Sequence, residues 1–196
     1  MGEFVLQYPN KIKKEYTKIT SYGNRGMDLE SIIEEANTYY KDNDIAYIYK
    51  KPTPIGVVNV CFKNGSKRIT DAYYKTPSTL DFNGLYKGQY IEFDAKKTTN
   101  KTALPYANIH PHQLLHIRNI NKHGGIVFLI ISINNEYYLL NSNELLTFID
   151  NETRKSIPYQ YIKDKGYKIE YNYIKGLDYI HIIDKLIGGK NEKDKN

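Results

Sequence analysis

Two acidic residues and a lysine form the most chemically suggestive group in the sequence. Asp81 is followed, after twelve intervening residues, by Asp94, and Lys96 lies two positions further on. Alternate side chains of a β-strand point to the same face, so Glu92, Asp94 and Lys96 are expected to share one face. The intervening positions are apolar: Ile91, Phe93 and Ala95. This pattern would present a carboxylate and an ammonium group together to one phosphate.

Such a group suits the hydrolysis of a phosphodiester bond. Magnesium takes oxygen ligands and keeps several waters, so one or two carboxylates are enough to hold it. The bound ion lowers the pKa of a coordinated water and polarises phosphoryl oxygens. A neighbouring lysine supplies positive charge where negative charge develops in the transition state. Asp81, Asp94 and Lys96 therefore indicate a candidate magnesium-dependent nuclease site.

The same residues also have a purely structural interpretation. Asp81 precedes Phe82-Asn83-Gly84 and could simply begin a turn. Asp94 and Lys96 could form a solvated strand face, which is the default interpretation for an isolated Asp-x-Lys pair. The pattern alone leaves both interpretations open.

Composition sets broad limits on the class of protein. The 196 residues are 40% apolar and 26% charged, which predicts a globular domain with a hydrophobic core. The net charge of +6 is compatible with a polyanionic partner. No apolar run is long enough to cross a bilayer, and no secretory signal is evident, so a cytoplasmic location is expected. The single cysteine, Cys61, excludes an intramolecular disulfide and is expected to be buried between Val60 and Phe62.

The pattern along the chain predicts a single mixed α/β or α+β domain over residues 22–187, preceded by a flexible basic arm (1–21) and followed by a disordered polar tail (188–196). A helix should begin at an Asp28 N-cap and end near residues 42–44. Asn64-Gly65 predicts a tight hairpin turn. Further helices are expected over 111–122 and 177–187, and strands are expected over 45–49, 55–62, 67–75, 79–82, 90–96, 126–133 and 137–140. The strands 79–82 and 90–96 are expected to be joined by a loop over 83–88.

Several separate motifs follow one another along the chain: Asn24-Arg25-Gly26-Met27, Lys50-Lys51-Pro52-Thr53-Pro54, Ser78-Thr79-Leu80-Asp81-Phe82-Asn83-Gly84, Tyr86-Lys87-Gly88, Phe93-Asp94-Ala95-Lys96 and His110-Pro111-His112-Gln113. Their sequences and order resemble the RecU family of Holliday junction resolvases. The resemblance implies a restriction-endonuclease-like fold of the PD-(D/E)xK type. This fold is a mixed β-sheet flanked by helices, here with a protruding β-hairpin stalk at about residues 62–76.

The resemblance also implies roles for particular residues. Thr79, Asp81, Asp94 and Gln113 would bind Mg²⁺, with Mn²⁺ as a possible substitute, and Lys96 would stabilise the transition state. Position 94 is Asp where the family usually has Glu, and Lys97 stands where an acidic residue is common.

Glu30 resembles a conserved acidic position near the metal, although a helix-dipole partner in the first turn explains it equally well. Gln113, near the start of a predicted helix, could also orient a metal-bound water. The adjacent His110 and His112 are interpreted as helix-entry or packing residues and not as ligands, since hard-metal chemistry favours oxygen ligands.

The predicted hairpin is the best candidate for contact with branched DNA. Its tyrosines Tyr73 and Tyr74 could stack on unpaired bases, or could be ordinary strand residues. Cations that could contact phosphates are Arg25, Lys63, Lys67, Arg68 and Lys75. Symmetric cutting of two strands favours a homodimer, and the resemblance implies association with RecA recombinase and the RuvAB branch-migration motor.

The leading hypothesis is therefore a structure-selective endonuclease that resolves four-way junctions in recombination and DNA repair. One alternative is a junction-binding protein without catalytic activity. Another is a restriction-like nuclease that acts on linear duplex DNA. The intact Asp81, Asp94 and Lys96 set argues against the first alternative, and a basic, aromatic hairpin argues against the second.

Overall fold

The computed structural model of the protein describes residues 28–75 and 79–193, with side chains described as far as residue 188. The predicted basic arm, Arg25 and the last three residues of the predicted tail lie outside this part of the chain. The helices are α1 (Leu29–Asp42), a 3₁₀ turn (Tyr106–Asn108), α2 (Pro111–Lys122), α3 (Ser142–Asn151), α4 (Tyr159–Lys165) and α5 (Ile180–Lys193).

Twelve strands occur in the described residues. They are β1 (Tyr47–Lys50), β2 (Ile55–Lys63), β3 (Ser66–Tyr74), β4 (Phe82–Tyr86), β5 (Gln89–Lys97), β6 (Ala103–Pro105), β7 (Ile126–Ile133), β8 (Glu136–Asn141), β9 (Ser156–Pro158), β10 (Tyr167–Ile169), β11 (Tyr171–Asn172) and β12 (Gly176–Leu177).

A six-stranded sheet in the order β1-β4-β5-β7-β8-β10 forms the centre of the fold. Only the β5–β7 pair is parallel, and α2 provides the connection that a parallel pair requires. One face packs against apolar side chains of α1 and α5, and the other against those of α2, α3 and α4. The predicted mixed α/β sheet flanked by helices is confirmed. None of the described helices is long and apolar enough to span a membrane.

The first helix forms as its sequence predicts. Asp28 has extended backbone angles, and its side chain accepts a hydrogen bond from the backbone N–H of Leu29. The predicted apolar stripe is buried against the sheet: Leu29, Ile32, Ile33, Ala36 and Tyr40. Burial of a stripe at this spacing is what stabilises a helix of this length in a protein.

Almost every residue of β2 and β3 is exposed, which shows that the hairpin formed by these strands projects from the sheet. Its turn is Asn64-Gly65, where both residues have positive φ (53° and 72°), as the prediction required. The paired strands cover residues 55–74, so the hairpin begins earlier than the expected 62–76. The prediction that Cys61 is buried was wrong: it is exposed, because this strand stands outside the core.

The prediction of a strand at 79–82 and a loop at 83–88 was also wrong. The strand is β4, Phe82–Tyr86, and the turn is reduced to Lys87-Gly88. Gly84 lies inside this strand because β1 approaches it closely: a Cβ at Gly84 would lie 2.1 Å from the carbonyl oxygen of Tyr47. The glycine therefore permits close strand packing instead of marking a loop.

The C-terminal region contains more structure than the sequence patterns predicted. Two helices, α3 and α4, and several short strands occur between residues 142 and 177. The last helix begins at Ile180 and continues to Lys193, whereas a helix over 177–187 was expected. The expected disordered tail from residue 188 is thus helical over its described part.

Candidate active site

The two aspartates are brought together by the pairing of β4 with β5. Phe82 lies opposite Phe93, and their rings stack with centroids 4.9 Å apart on the face covered by α1 and α5. Since side chains alternate along a strand, Asp81 and Asp94 project from the opposite face. There the two carboxyl groups are close enough to share a hydrogen bond.

This environment favours the protonated form of Asp81. Burial, the hydrogen bond with Asp94 and the negative charge of Asp94 raise the pKa of Asp81 to about 7, although the positive charges of Lys96 and Lys50 oppose the change. Asp94 is fully buried, so solvent does little to screen the repulsion between the two carboxylates. A cation between the two groups would remove that repulsion.

Lys96 and Gln113 complete the immediate surroundings of Asp94. The Nζ of Lys96 lies 2.9 Å from Oδ2 of Asp94 and donates to Oε1 of Gln113 at 3.2 Å. The side-chain Nε2 of Gln113 donates to the same oxygen of Asp94. The backbone N–H of His110 also donates to Oε1 of Gln113, at 3.2 Å. The start of α2 therefore fixes the positions of both Asp94 and Lys96.

The site fits a magnesium ion. The other oxygen of Asp94, Oδ1, is buried and has no hydrogen-bond partner within the described residues, an arrangement that costs free energy unless a cation or water satisfies it. No cluster of three or more His, Cys, Asp or Glu side chains suited to a metal occurs in residues 28–75 and 79–193. Magnesium does not require one, because it retains several waters and needs one or two carboxylates. Asp81 and Asp94 supply such a pair.

The other two predicted magnesium ligands are placed less directly. Gln113 is buried, and its side-chain oxygen already accepts hydrogen bonds from Lys96 and His110. Gln113 contributes to the site through its hydrogen bonds with Asp94 and Lys96, which hold these two side chains in place. Thr79 is partly buried in the segment that leads into β4, two residues before Asp81. Metal binding by Thr79 and Gln113 stays a prediction.

Glu30 is connected to the site through a lysine. The Nζ of Lys50 lies 2.8 Å from Oε2 of Glu30 and 3.0 Å from Oε1 of Glu34, both on α1. These two glutamates raise the pKa of Lys50. The positive charge of Lys50 in turn opposes the rise in the pKa of Asp81. Glu30 thus acts on the site through the charge of Lys50. Among the described residues, no contact joins Glu30 directly to Asp81. A direct role near the metal stays a prediction.

A second buried carboxylate, Glu92, lies on the same face of β5 as Asp94. It is fully buried, and it receives hydrogen bonds from the side chains of Lys51, Tyr90 and His116. Burial alone would raise the pKa of Glu92, but the hydrogen bonds from Lys51, Tyr90 and His116 bring it below its ordinary value. The sequence pattern predicted that Glu92 lies on the polar face of its strand. It did not predict the contacts of Glu92 with Lys51 and His116, since no sequence motif links these three positions.

The predicted DNA contacts of the hairpin are all accessible. Tyr74 is 81% exposed and Tyr73 is 58% exposed. Tyr73 packs across the strand pair over Gly56, where a Cβ would lie 2.4 Å from its ring. Four cations of this region are exposed: Lys63, Lys67, Arg68 and Lys75. The hairpin therefore combines positive charge with exposed aromatic rings, as a site for nucleic acid would require.

The fold and the site define a class of protein. A mixed α/β sheet that presents Asp81, Asp94 and Lys96 on one face has the Asp…Asp-x-Lys arrangement of a PD-(D/E)xK-type nuclease.

Comparison with known proteins gives the family. The sequence profile of the family described as Recombination protein U matches residues 24–185. The chain is 47% identical over 177 residues to the Holliday junction resolvase RecU of Staphylococcus aureus strain JH9, a match that covers 87% of this chain and 85% of that protein. The corresponding protein of strain MRSA252 is 46% identical over the same length. The chain belongs to the RecU family.

A solved structure also shows some likeness to the fold. It is that of Hjc, a Holliday junction resolvase of Archaeoglobus fulgidus, with a TM-score of 0.34 and 10% sequence identity. The match covers 52% of this chain and 78% of that one.

Proposed function

We propose that this protein is a magnesium-dependent endonuclease that resolves four-way DNA junctions during homologous recombination and repair. The observation that carries the proposal is the meeting of the Asp81 and Asp94 carboxyl groups, with the Lys96 ammonium 2.9 Å from Asp94. Junction DNA as the substrate follows from the staphylococcal relatives, which are named Holliday junction resolvases.

The chain supplies the ligands and the charge that the hydrolysis needs. Asp81 and Asp94 would hold the ion, with Thr79 and Gln113 as further ligands. Bound Mg²⁺, or Mn²⁺ in its place, would supply an activated water and neutralise charge on the phosphoryl oxygens. The ammonium of Lys96 stabilises negative charge on the phosphate as the transition state forms. Cleavage would leave 5′-phosphate and 3′-hydroxyl ends that a ligase can join.

The hairpin gives the enzyme a means of choosing branched DNA. Its exposed tyrosines, Tyr73 and Tyr74, offer stacking surfaces to bases splayed at the crossover. Its lysines, with Arg68 and Arg25, bind phosphates irrespective of sequence. Selection would then depend on the shape of the junction.

Symmetric resolution requires two active sites related by a two-fold axis, which a homodimer provides with one site in each subunit. We place the protein in the cytoplasm, where junction DNA is formed. RecA recombinase and the RuvAB motor are the expected partners, because they form and move the same junctions.

One assay separates this proposal from its alternatives. Purified protein is incubated with a labelled four-way junction, and separately with a linear duplex of the same sequence, with and without magnesium. The proposal predicts magnesium-dependent, paired cuts in the junction and little cutting of the duplex. Junction binding without cutting would indicate a non-catalytic binding protein. Equal cutting of both substrates would indicate a nuclease for linear DNA.

A further inference from the structure

The buried carboxylate of Glu92 holds together three elements that surround the active site. Its Oε1 accepts a hydrogen bond from Nζ of Lys51, which follows β1, and lies 2.8 Å from Nε2 of His116 on α2. Its Oε2 accepts from the hydroxyl of Tyr90, two residues earlier on β5, at 2.7 Å. The side chain of Glu92 is fully buried, whereas those of Lys51 and His116 are 21% and 23% exposed. We call these four residues the Glu92 cluster.

Lys51 links the Glu92 cluster to the first metal-site carboxylate. Its backbone N–H donates to the carbonyl oxygen of Asp81 at 2.7 Å, while its side chain reaches Glu92. The preceding residue, Lys50, turns to the other side and pairs with Glu30 and Glu34. The ammonium of Lys51 is therefore held by a buried anion, and its backbone is fixed beside the residue that must present its carboxyl group to the ion.

His116 links the same cluster to the second carboxylate. It lies three residues after Gln113, so the two side chains leave α2 about one turn apart on neighbouring positions. Gln113 holds Asp94 and Lys96, and His116 holds Glu92. Both contacts are made to β5, so together they fix the helix along the strand that carries Asp94.

We propose that Glu92 is a positioning residue for the metal site: through Lys51 it fixes the backbone of Asp81, and through His116 it fixes the helix that orients Asp94. This inference rests on the proposed magnesium site. In this role the Glu92 cluster acts through the ligands and needs no contact of its own with the ion or the DNA. Loss of such outer contacts typically weakens metal binding by about 10- to 100-fold, because the ligands are no longer held in place.

A purely structural role makes a different prediction. Replacing a buried ion pair by apolar residues of similar volume is often neutral or stabilising, whereas removing one partner leaves a costly buried charge. If only the balance of charge mattered, the double variant Lys51→Met/Glu92→Leu would recover both thermal stability and metal affinity. If Glu92 positions the ligands, the double variant recovers stability but keeps weak metal binding, since its side chains no longer tie β1 and α2 to β5.

The experiment measures Mn²⁺ binding to the full-length protein by titration calorimetry, without DNA. The variants are Glu92→Gln, Lys51→Met/Glu92→Leu, His116→Ala and His116→Gln. We expect the first three to bind Mn²⁺ about tenfold or more weakly, and His116→Gln to restore affinity, because its amide nitrogen can still donate to Glu92. His116→Ala, at a partly exposed position, decides the question if Glu92→Gln fails to fold.

A matched control is available on β8. Glu136 also receives hydrogen bonds from two tyrosines, Tyr138 and Tyr159, and pairs with Lys168 at 3.0 Å. The strand β7 separates it from β5. Glu136→Gln should therefore leave Mn²⁺ affinity at the wild-type value.

The outcomes distinguish the positioning role from the proposed function. If the wild-type protein neither binds Mn²⁺ nor cuts junctions, the proposed function fails. If the wild type does both, but His116→Ala and Glu92→Gln bind Mn²⁺ as tightly as it does, only the positioning role is overturned. A parallel fall in metal-free junction affinity would also overturn it, because the Glu92 cluster would then be acting as a DNA contact.

Discussion

The carboxyl group of Asp81 forms a side-chain hydrogen bond with that of Asp94, although twelve residues separate the two in the chain. The antiparallel pairing of β4 with β5 produces this contact, because Phe82 and Phe93 pair on the opposite face. Two acids in such proximity cannot both ionise freely without a cation. Burial of Asp81, together with its hydrogen bond to Asp94 and the charge of Asp94, raises the pKa of Asp81 to about 7.

The stability of the metal-free protein should depend on the ionisation of Asp81. Its pKa is about 7 in the folded state and near 3.8 when unperturbed, so between these values the folded state binds more protons than the unfolded state. The contribution of Asp81 to stability therefore falls as pH rises from about 4 to about 7, and is level above that range. Asp81→Asn removes this contribution.

Denaturant unfolding in EDTA at several pH values measures this effect. Asp81→Asn should gain stability relative to the wild type as pH rises, and saturating Mg²⁺ should reduce the difference by stabilising the wild type alone. A difference between the two proteins that stays constant from pH 4 to pH 8 would contradict the shifted pKa.

Replacement of Lys96 should affect the chemical step more than binding. Lys96→Met removes the ammonium that lies beside Asp94, but leaves both carboxylates. A single charge-stabilising donor in an active site is typically worth about 100- to 1,000-fold in rate. Single-turnover cleavage of a junction at saturating magnesium should fall by that order. A normal rate, with only a raised magnesium requirement, would assign Lys96 to metal binding instead.

Gln113 should matter for both stability and activity. Gln113→Ala leaves Asp94 without its amide donor, and also removes the acceptor for Lys96. Loss of a buried partner costs about 1–3 kcal/mol, so urea unfolding should show a decrease of that size. Cleavage should fall as well. Unchanged urea midpoint and cleavage rate would show that Asp94 is held in place without this contact.

The hairpin cations should control junction affinity through charge. Lys67→Ala/Arg68→Ala removes two exposed positive groups from β3. If both contact phosphates, the slope of log affinity against log salt should become shallower by roughly 2, since each contact contributes about 0.9. Lys163→Ala, an exposed lysine on α4, is the control and should leave the slope unchanged. An identical slope in all three proteins would remove these two residues from the DNA surface.

Gly84 should tolerate no side chain. A Cβ added at this position would lie 2.1 Å from the carbonyl oxygen of Tyr47 and 2.6 Å from the Cα of Ile48. The strands β1 and β4 would therefore have to separate. Overpacking of this kind costs about 1–3 kcal/mol or more, which thermal and urea unfolding of Gly84→Ala would detect. Gly188→Ala, where a Cβ meets nothing within 4 Å, is the control. Equal stability of the two variants would contradict the observed strand pairing.

The part of the site that the sequence could predict depends on a local rule. Alternation along β5 places Glu92, Asp94 and Lys96 on one face, and it needs no knowledge of distant contacts. The closeness of Asp81 to Asp94 was a hypothesis that depended on strand pairing. The Glu92 cluster could not be predicted, because Lys51, Glu92 and His116 come from three elements whose packing the sequence pattern does not specify.

The errors in the predicted fold have similar causes. The tripeptide Phe82-Asn83-Gly84 has the composition of a turn, yet tertiary packing makes it a strand. Cys61 lies in an apolar run that indicates burial, but the run belongs to a projecting hairpin. The helix α4 was missed because it has seven residues, two of them tyrosines, and only Ile162 is buried. The helix α3 does carry a helical signal, since Asn141 caps its start and Leu145 and Phe148 lie three residues apart on its buried side.

We propose that Asp81 and Asp94 together hold the metal ion that is required to cut junction DNA. The most direct measurement compares cleavage of a labelled four-way junction by the wild type, Asp81→Asn and Asp94→Asn over a range of magnesium concentrations. We predict that the wild type cuts the junction, and that both variants bind it but do not cut it at any magnesium concentration. Cleavage by either variant at the wild-type rate would contradict the assignment of the site.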